Sequence, residues 1–210
     1  HMRTFPMIFS APMVLALLAG RKTQTRRFAF KGQPGDLVWV KEAWRTMISL
    51  DALTPSELWS PEMERGAGIH YEAGGSAYIS RGVSDDRPLV VGSLDQDDGP
   101  MPAYAGRLRA AMHLPMIFSR LTLRVSAVRS EPLQAITDSD ALAEGVVVDE
   151  HGLCIVPGAG IADLSPKATY LALWDRINGD SDENPTVMVV TFEALRQNVK
   201  AVMGEANGRD

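Results

Sequence analysis

Residues 20–28 read GRKTQTRRF, and Lys22 and Thr25 within them are the two groups from which a hydroxyl nucleophile can be made. The amine takes a proton and the alcohol gives one up, as in serine–lysine sites. An ordinary lysine pKa near ~10.4 leaves only about one molecule in a thousand neutral at pH 7. Burial disfavours the ammonium, and so do nearby cations such as Arg26 and Arg27. Together with Arg21, the same cations read equally well as a grip on a phosphate backbone. Geometry adds a condition, because in a regular strand Lys22 and Thr25 point to opposite faces. For them to meet, the chain has to bend near Thr23-Gln24 or continue as a helical turn past Gly20.

The flanking sequence supplies the elements that must position them. "MIFSAPMVLALLAGRK" reads as strand, cap, helix and stop, with Ser10 at the cap, Pro12 in the first turn and Gly20 as a left-handed exit. The helix is apolar nearly all round, which implies burial. "QPGDLVWVKEAW" is a turn at Pro34-Gly35 followed by a short strand. Between about 47 and 112 periodicity weakens. Short strands are expected around "GIHYEA" and "SAYISR", with Gly74-Gly75 and an acidic run "DQDDG". Alternation in "SRLTLRVSAVRSEPL" describes a half-buried strand in which Leu121, Leu123, Val125 and Ala127 face inward. "TDSDALAEG" is a short helix with Thr137 and Asp140 in capping-box positions and Gly145 at its end. "SPKATYLALWDRING" is a helix capped by Ser165 and closed by Gly179, with Tyr170, Leu173, Trp174 and Ile177 as its buried stripe. "PTVMVVTFEAL" is a final strand, and the tail after Met203 reads as disordered. Few helices and several short, non-adjacent strands give an α+β class with a mostly antiparallel curved sheet or small barrel.

Composition narrows the function classes. The 210 residues carry a formal charge of −5, which argues against a general nucleic-acid-coating protein. The longest apolar stretch, "MVLALLAG", is too short to span a bilayer and lacks the layout of a secretory signal. One cysteine, Cys154, fits a reducing cytoplasm. His151 and Cys154 stand close together in "DEHGLC", where a surface loop followed by a half-buried thiol is expected. A zinc site needs more ligands at suitable spacing, so no metal and no cofactor are expected. The expected state is a cytoplasmic monomer.

The order Gly20, Lys22, Thr25, Arg27 resembles the signature of the ASCH family of small PUA-like β-barrels, with a threonine at the family's usual acidic position. A threonine there is similar to the ASCH branch of bacterial N4-acetylcytidine amidohydrolases. "PGDLVWV" resembles the family's second strand, and "EPLQAITDSDALAEG" resembles the segment carrying that branch's catalytic glutamate, which falls on Glu144. "FSAPMV", "WVKEAW", "LWDRING" and "NPTVMVVTF" resemble phage-type ASCH proteins, which also carry a long insertion. The resemblance covers roughly residues 5–46 and 113–195. It implies a PUA-like small mixed β-barrel with flanking helices: one domain over 3–203, an insertion at about 47–112, and a disordered tail at 204–210.

The activity implied is removal of the acyl group from an N4-acylated cytidine, a small modified nucleoside. Thr25 would be the nucleophile, Lys22 its base, and Glu144 the group that meets the amine edge and passes a proton to the leaving nitrogen. Replacing Glu144 by Gln is then expected to lower turnover without lowering thermal stability. Arg27 belongs to the signature and is assigned to substrate binding. Ser10 suits a cleft at its strand–helix junction, although capping is its simpler role. Glu42 suits neutralisation of Lys22 or Arg27, or else a structural ion pair. Trp44 suits stacking on a base, whereas Trp39 is expected in the core and Arg120 in solvent. Two other functions use the same basic cleft: a PUA-like RNA-binding module and a ribonuclease. The negative charge disfavours both, and any RNA binding is expected to be weak and salt-dependent.

Overall fold

Strand β1 (Thr4–Ile8) leads into helix α1 (Ala11–Leu18), which buries Met13, Val14, Ala16, Leu17 and Leu18 as its apolar surface requires. Residues 2–59, 67–81, 88–91 and 103–207 are described by the computed structural model; the "DQDDG" run lies outside them. Gly20 adopts φ 69°, and the N–H groups of Arg21 and Lys22 both turn back to the Ala16 carbonyl, at 3.0 and 3.1 Å. This left-handed closure satisfies a last-turn carbonyl and releases the chain into strand β2 (Gln24–Arg27). Gly35, at φ 91°, makes the turn into β3 (Leu37–Lys41).

Next come β4 (Trp44–Arg45), β5 (Ala67–Tyr71), β6 (Ser76–Arg81) and β7 (Pro88–Val91), which pair antiparallel in that order as a four-stranded sheet. β8 (Thr122–Pro132) precedes helix α2 (Asp138–Ala143), whose capping box joins the Thr137 and Asp140 side chains to each other's backbone N–H. The loop expected in "DEHGLC" spans residues 149–153. On either side of it β9 (Val147–Val148), β10 (Cys154–Val156) and β11 (Ile161–Asp163) form a three-stranded antiparallel sheet that was not expected from the sequence. Cys154 is buried there, and its carbonyl accepts a 2.9 Å bond from the Thr169 hydroxyl. Helix α3 (Pro166–Asn178) is capped by Ser165, which accepts from the Ala168 N–H. Its Tyr170, Leu173 and Trp174 are buried, but Ile177 is 58% exposed and leaves the expected stripe. β12 (Thr186–Leu195) follows, then helix α4 (Val199–Asn207), which occupies part of the segment expected to be disordered.

The main sheet runs β1-β3-β8-β12-β2. It does not close on itself, so among the described residues the α+β class stands but a closed barrel does not. On β8 the inward face ends at Val125; Ala127 is exposed, and Thr122 is buried because its hydroxyl donates to the Gln197 carbonyl.

The chain divides into two compact units. One consists chiefly of Pro12–Leu37 and Leu123–Leu195. In it β2 pairs antiparallel with β12, setting Thr25 opposite Val190 and Arg26 opposite Val189. The other consists chiefly of Thr4–Ala11 and Val38–Thr122, together with α4. Its core gathers Trp44, Leu58, Ile69, Tyr71, Leu114 and Phe118. Among the described residues no helix is long and apolar enough to cross a membrane.

Candidate functional site

Lys22 is not part of a strand. It lies between the left-handed end of α1 and the start of β2, so the alternation that would separate it from Thr25 does not govern it. Two backbone bonds fix the chain at Thr23, which donates to the Ala143 carbonyl and accepts from the Phe192 N–H, both at 2.9 Å. From this position the Lys22 ammonium donates to Glu144 Oε2 at 2.7 Å and to the Glu144 backbone carbonyl at 2.8 Å. Both side chains are 2% exposed.

Glu144 is the C-cap of α2. A carboxylate at the negative end of a helix is unfavourable alone. Lys22 answers both problems, pairing the carboxylate and covering a last-turn carbonyl. Gly145 makes the approach possible: at φ 106° it ends the helix in a conformation that suits glycine. A Cβ there would also stand 3.1 Å from the Ala16 Cβ of α1.

Arg26 meets the other carboxylate oxygen, donating from Nη1 to Glu144 Oε1 at 3.1 Å. Its Nη2 donates to Glu131 Oε1 at 2.6 Å and stands 3.4 Å from Asp140 Oδ2. The guanidinium also lies 5.7 Å from the Tyr170 ring centre. Arg129 closes the network from the surface, donating to Glu131 and Asp140 at 3.0 and 3.2 Å. Gln24 donates to Asp140 at 3.1 Å. Gln24 and Arg26 therefore share one side of β2, and strand alternation puts Thr25 and Arg27 on the other. Thr25 is 2% exposed.

The electrostatics follow from this burial. Desolvation lowers the Lys22 pKa below its ordinary value; the Glu144 carboxylate opposes the shift, and Arg27 and then Arg26 add to it. Arg27 acts on Lys22 more strongly than Arg26 does, so the ammonium is within range of cations on both sides of β2. Arg27 is itself lowered by burial, against the pull of Glu144 and Tyr170. Burial raises Asp140, but the hydrogen bonds from Gln24 and Thr137, with Arg26, outweigh it and bring the carboxyl down to about 2.

Of the residues selected from the sequence, Lys22 and Glu144 are in contact, with Arg27 acting on both. Thr25 is hydrogen-bonded to neither, and strand alternation turns it away from the side of β2 on which Arg26 meets Glu144. Arg26, Glu131, Asp140 and Tyr170 complete this site. Arg26 was visible as a cation beside Lys22 and Asp140 as a cap, but nothing in the sequence linked Glu131 to position 26, 105 residues away. Glu42 is engaged elsewhere. It accepts a fork from Arg120, Nε to Oε1 at 2.9 Å and Nη2 to Oε2 at 2.8 Å, with both side chains buried. The structural ion pair is thus its observed role, and Arg120 is not solvated: it also donates to the Gly74 carbonyl and lies 4.1 Å from the Tyr71 ring centre. Trp44 is 0% exposed and packs edge-on against Phe118, so it offers no open face to a base. Trp39 is buried, as expected. Ser10 is exposed immediately before α1. Among the described residues no three His, Cys, Asp or Glu side chains gather in a way that would hold a metal.

No family model, curated protein or solved structure matches this chain.

Proposed function

We propose that the Lys22–Glu144 site is that of an amidohydrolase acting on N4-acylated cytidine, with Thr25 as nucleophile, within a PUA-like fold of the ASCH kind. The observation that carries this reading is the 2.7 Å contact between an amine and a carboxylate that are both 2% exposed. A salt-bridged ammonium is not a base. Transfer of one of its three protons to Glu144, however, produces a neutral amine and a carboxylic acid, and burial of Lys22 acts in the direction of the neutral amine. Those are the two forms the first chemical step requires.

That step requires Thr25 Oγ1 to reach Lys22 Nζ when substrate binds; Lys22 then accepts the hydroxyl proton while Thr25 Oγ1 bonds to the acyl carbon of the substrate. The C–N4 bond of the tetrahedral adduct then breaks. The proton held by Glu144 passes to N4, so cytidine leaves as a neutral amine. The acyl group now rests on Thr25 as an ester. Water, deprotonated by the Glu144 carboxylate, attacks that ester. The C–Oγ1 bond breaks, the Lys22 ammonium returns a proton to Thr25 Oγ1, and the carboxylic acid leaves with the neutral amine and protonated carboxyl restored. Arg27, on the same side of β2 as Thr25, is suited to stabilise the developing oxyanion.

Phosphate gripping has less support. Lys22 and Arg26 are 2% and 1% exposed, and both are paired with carboxylates. Cations in that state cannot exchange counter-ions with a nucleic-acid backbone.

The test is incubation with N4-acetylcytidine between pH 6 and 10, with chromatographic detection of cytidine. Cytidine and acetate in equal amounts are expected. No cytidine from folded protein anywhere in that range would end this reading.

A further inference from the structure

We propose that Arg26 is a positioning residue of this site, holding Glu144 by one carboxylate oxygen so that the other faces Lys22. This rests on the reading of Lys22 and Glu144 as a working pair, and it goes beyond the residues already assigned to the chemistry.

The geometry is a relay of alternating charges. Lys22 holds Glu144 Oε2 at 2.7 Å, Arg26 holds Glu144 Oε1 at 3.1 Å, and Glu131 holds Arg26 at 2.6 Å. Arg129, 44% exposed, anchors Glu131 and Asp140 from the solvent side. A guanidinium is suited to the middle of this chain, because its planar fork can donate to two carboxylates at once in a fixed geometry. The side chain of Arg26 is fully buried. Since its Nη2 is tied to Glu131 on β8, its Nη1 cannot follow Glu144 if that carboxylate rotates. Glu144 is thereby left with one orientation, and Lys22 takes what remains of it.

Arg26 also limits how firmly Glu144 holds the Lys22 proton. Around the pair stand Arg27 on β2, Asp140 before Glu144 on α2, Glu131 and Arg129 on β8, and Tyr170 on α3. Removing Arg26 takes away a cation that opposes the ammonium and leaves Glu144 to Lys22 alone. Both changes favour the charged lysine, so the Lys22 titration moves to higher pH. A lysine at position 26 keeps the charge but loses the fork, so the move is in the same direction and smaller.

The experiment is NMR titration of the Nζ group of Lys22 in 15N-lysine-labelled protein, assigned by the loss of its signal in Lys22→Arg. Wild type, Arg26→Lys and Arg26→Met are compared, with folding checked by thermal melting. The midpoint is expected to rise in that order, by about one pH unit or more for Arg26→Met. With N4-acetylcytidine the ascending limb of kcat/KM should follow it, and kcat should fall at least ~10-fold in Arg26→Lys with KM little changed. If Arg26→Met does not fold, Arg26→Lys decides. A Lys22 midpoint equal to wild type in a folded variant overturns the role of Arg26, whether or not the protein hydrolyses the nucleoside. Absence of hydrolysis by wild type with the midpoint moved instead overturns the reading of the reaction and leaves Arg26 in place.

Discussion

Lys22 Nζ lies 2.7 Å from Glu144 Oε2 and 2.8 Å from the carbonyl oxygen of the same residue, so one ammonium holds a carboxylate and a helix end together. This overturns the expectation that Glu144→Gln would be silent for stability. The variant leaves Lys22 and Arg26 buried without their shared anion, and breaking a buried pair costs about 3–5 kcal/mol. Lys22 should respond by losing its proton more readily. A lysine whose folded pKa is below its unfolded one binds fewer protons when folded, so stability rises with pH between the two values. The Gln variant should therefore melt well below wild type at pH 7 and recover part of the difference as pH rises towards ~10.4. A wild-type melting temperature at pH 7 would contradict the pairing.

Thr25 provides a cleaner test of chemistry because it anchors no ion pair. It is buried opposite Val190 on β12, and truncation removes one hydroxyl and one methyl from that contact. Thr25→Ala should fold, lose about 1–2 kcal/mol and give no detectable turnover of N4-acetylcytidine. Adding Lys22→Ala should lower turnover little further, since groups that act as a unit are non-additive. Hydrolysis at near the wild-type rate by Thr25→Ala would remove it from the nucleophile's role.

Local signals in the sequence were read directly because their physics is local. Gly20 closes α1, the Thr137–Asp140 box opens α2, and Ser165 opens α3, each within a few residues of the side chain responsible. Lys22 stands out in the same stretch as Gly20, but its contact with Glu144, 122 residues away, is not a local signal. What alternation and caps do not encode is which distant elements meet. Nothing in "SEPL" says that Glu131 will neutralise Arg26, and nothing in "KEAW" says that Glu42 will take Arg120 as its partner. The β9–β11 sheet was missed because its strands are two or three residues long, too short for periodicity to register. Trp44 was assigned to stacking on residue type alone, which cannot distinguish a wall of the core from a wall of a cleft.

Gly145 ties α2 to α1 at the point where Lys22 reaches Glu144. Gly145→Ala would force a Cβ to 3.1 Å from Ala16 Cβ, at a φ of 106° that side chains rarely adopt. The left-handed cost alone is about 1–2 kcal/mol, and relief of the clash would move the end of α2 away from Lys22. The variant should melt lower than wild type and lose turnover out of proportion to its unfolded fraction. Unchanged turnover would mean that the pair tolerates displacement.

Asp140 should control acid stability in this unit. Its folded pKa of about 2 lies below the ordinary aspartate value of ~3.9. A depressed carboxylate contributes stability that is complete above the unfolded value and is lost as pH falls through the folded one. Taken in full, that shift corresponds to about 2–3 kcal/mol, and solvent screening of this partly exposed carboxylate leaves about 1 kcal/mol at stake. Asp140→Asn should be less stable than wild type at pH 6, with the two urea curves converging between about pH 4 and 2. A constant gap across that range would place the source of stability elsewhere.

Glu42 and Arg120 offer the sharpest test of whether the second unit depends on a buried ion pair. Both side chains are 2% exposed, and the Arg120 guanidinium lies 4.1 Å from the Tyr71 ring centre. Burial raises the Glu42 carboxyl pKa even against the Arg120 fork, so this anion is held at a cost. Arg120→Met removes the cation and leaves that anion stranded, which should cost about 3–5 kcal/mol. Glu42→Leu alone strands the guanidinium to a similar degree. The double variant removes both charges and sets two apolar side chains beside Tyr71, so it should be more stable than either single variant. Urea unfolding of all four proteins measures the coupling. If the double variant loses the sum of the two single losses, the residues do not act as a pair and the fork is incidental to stability.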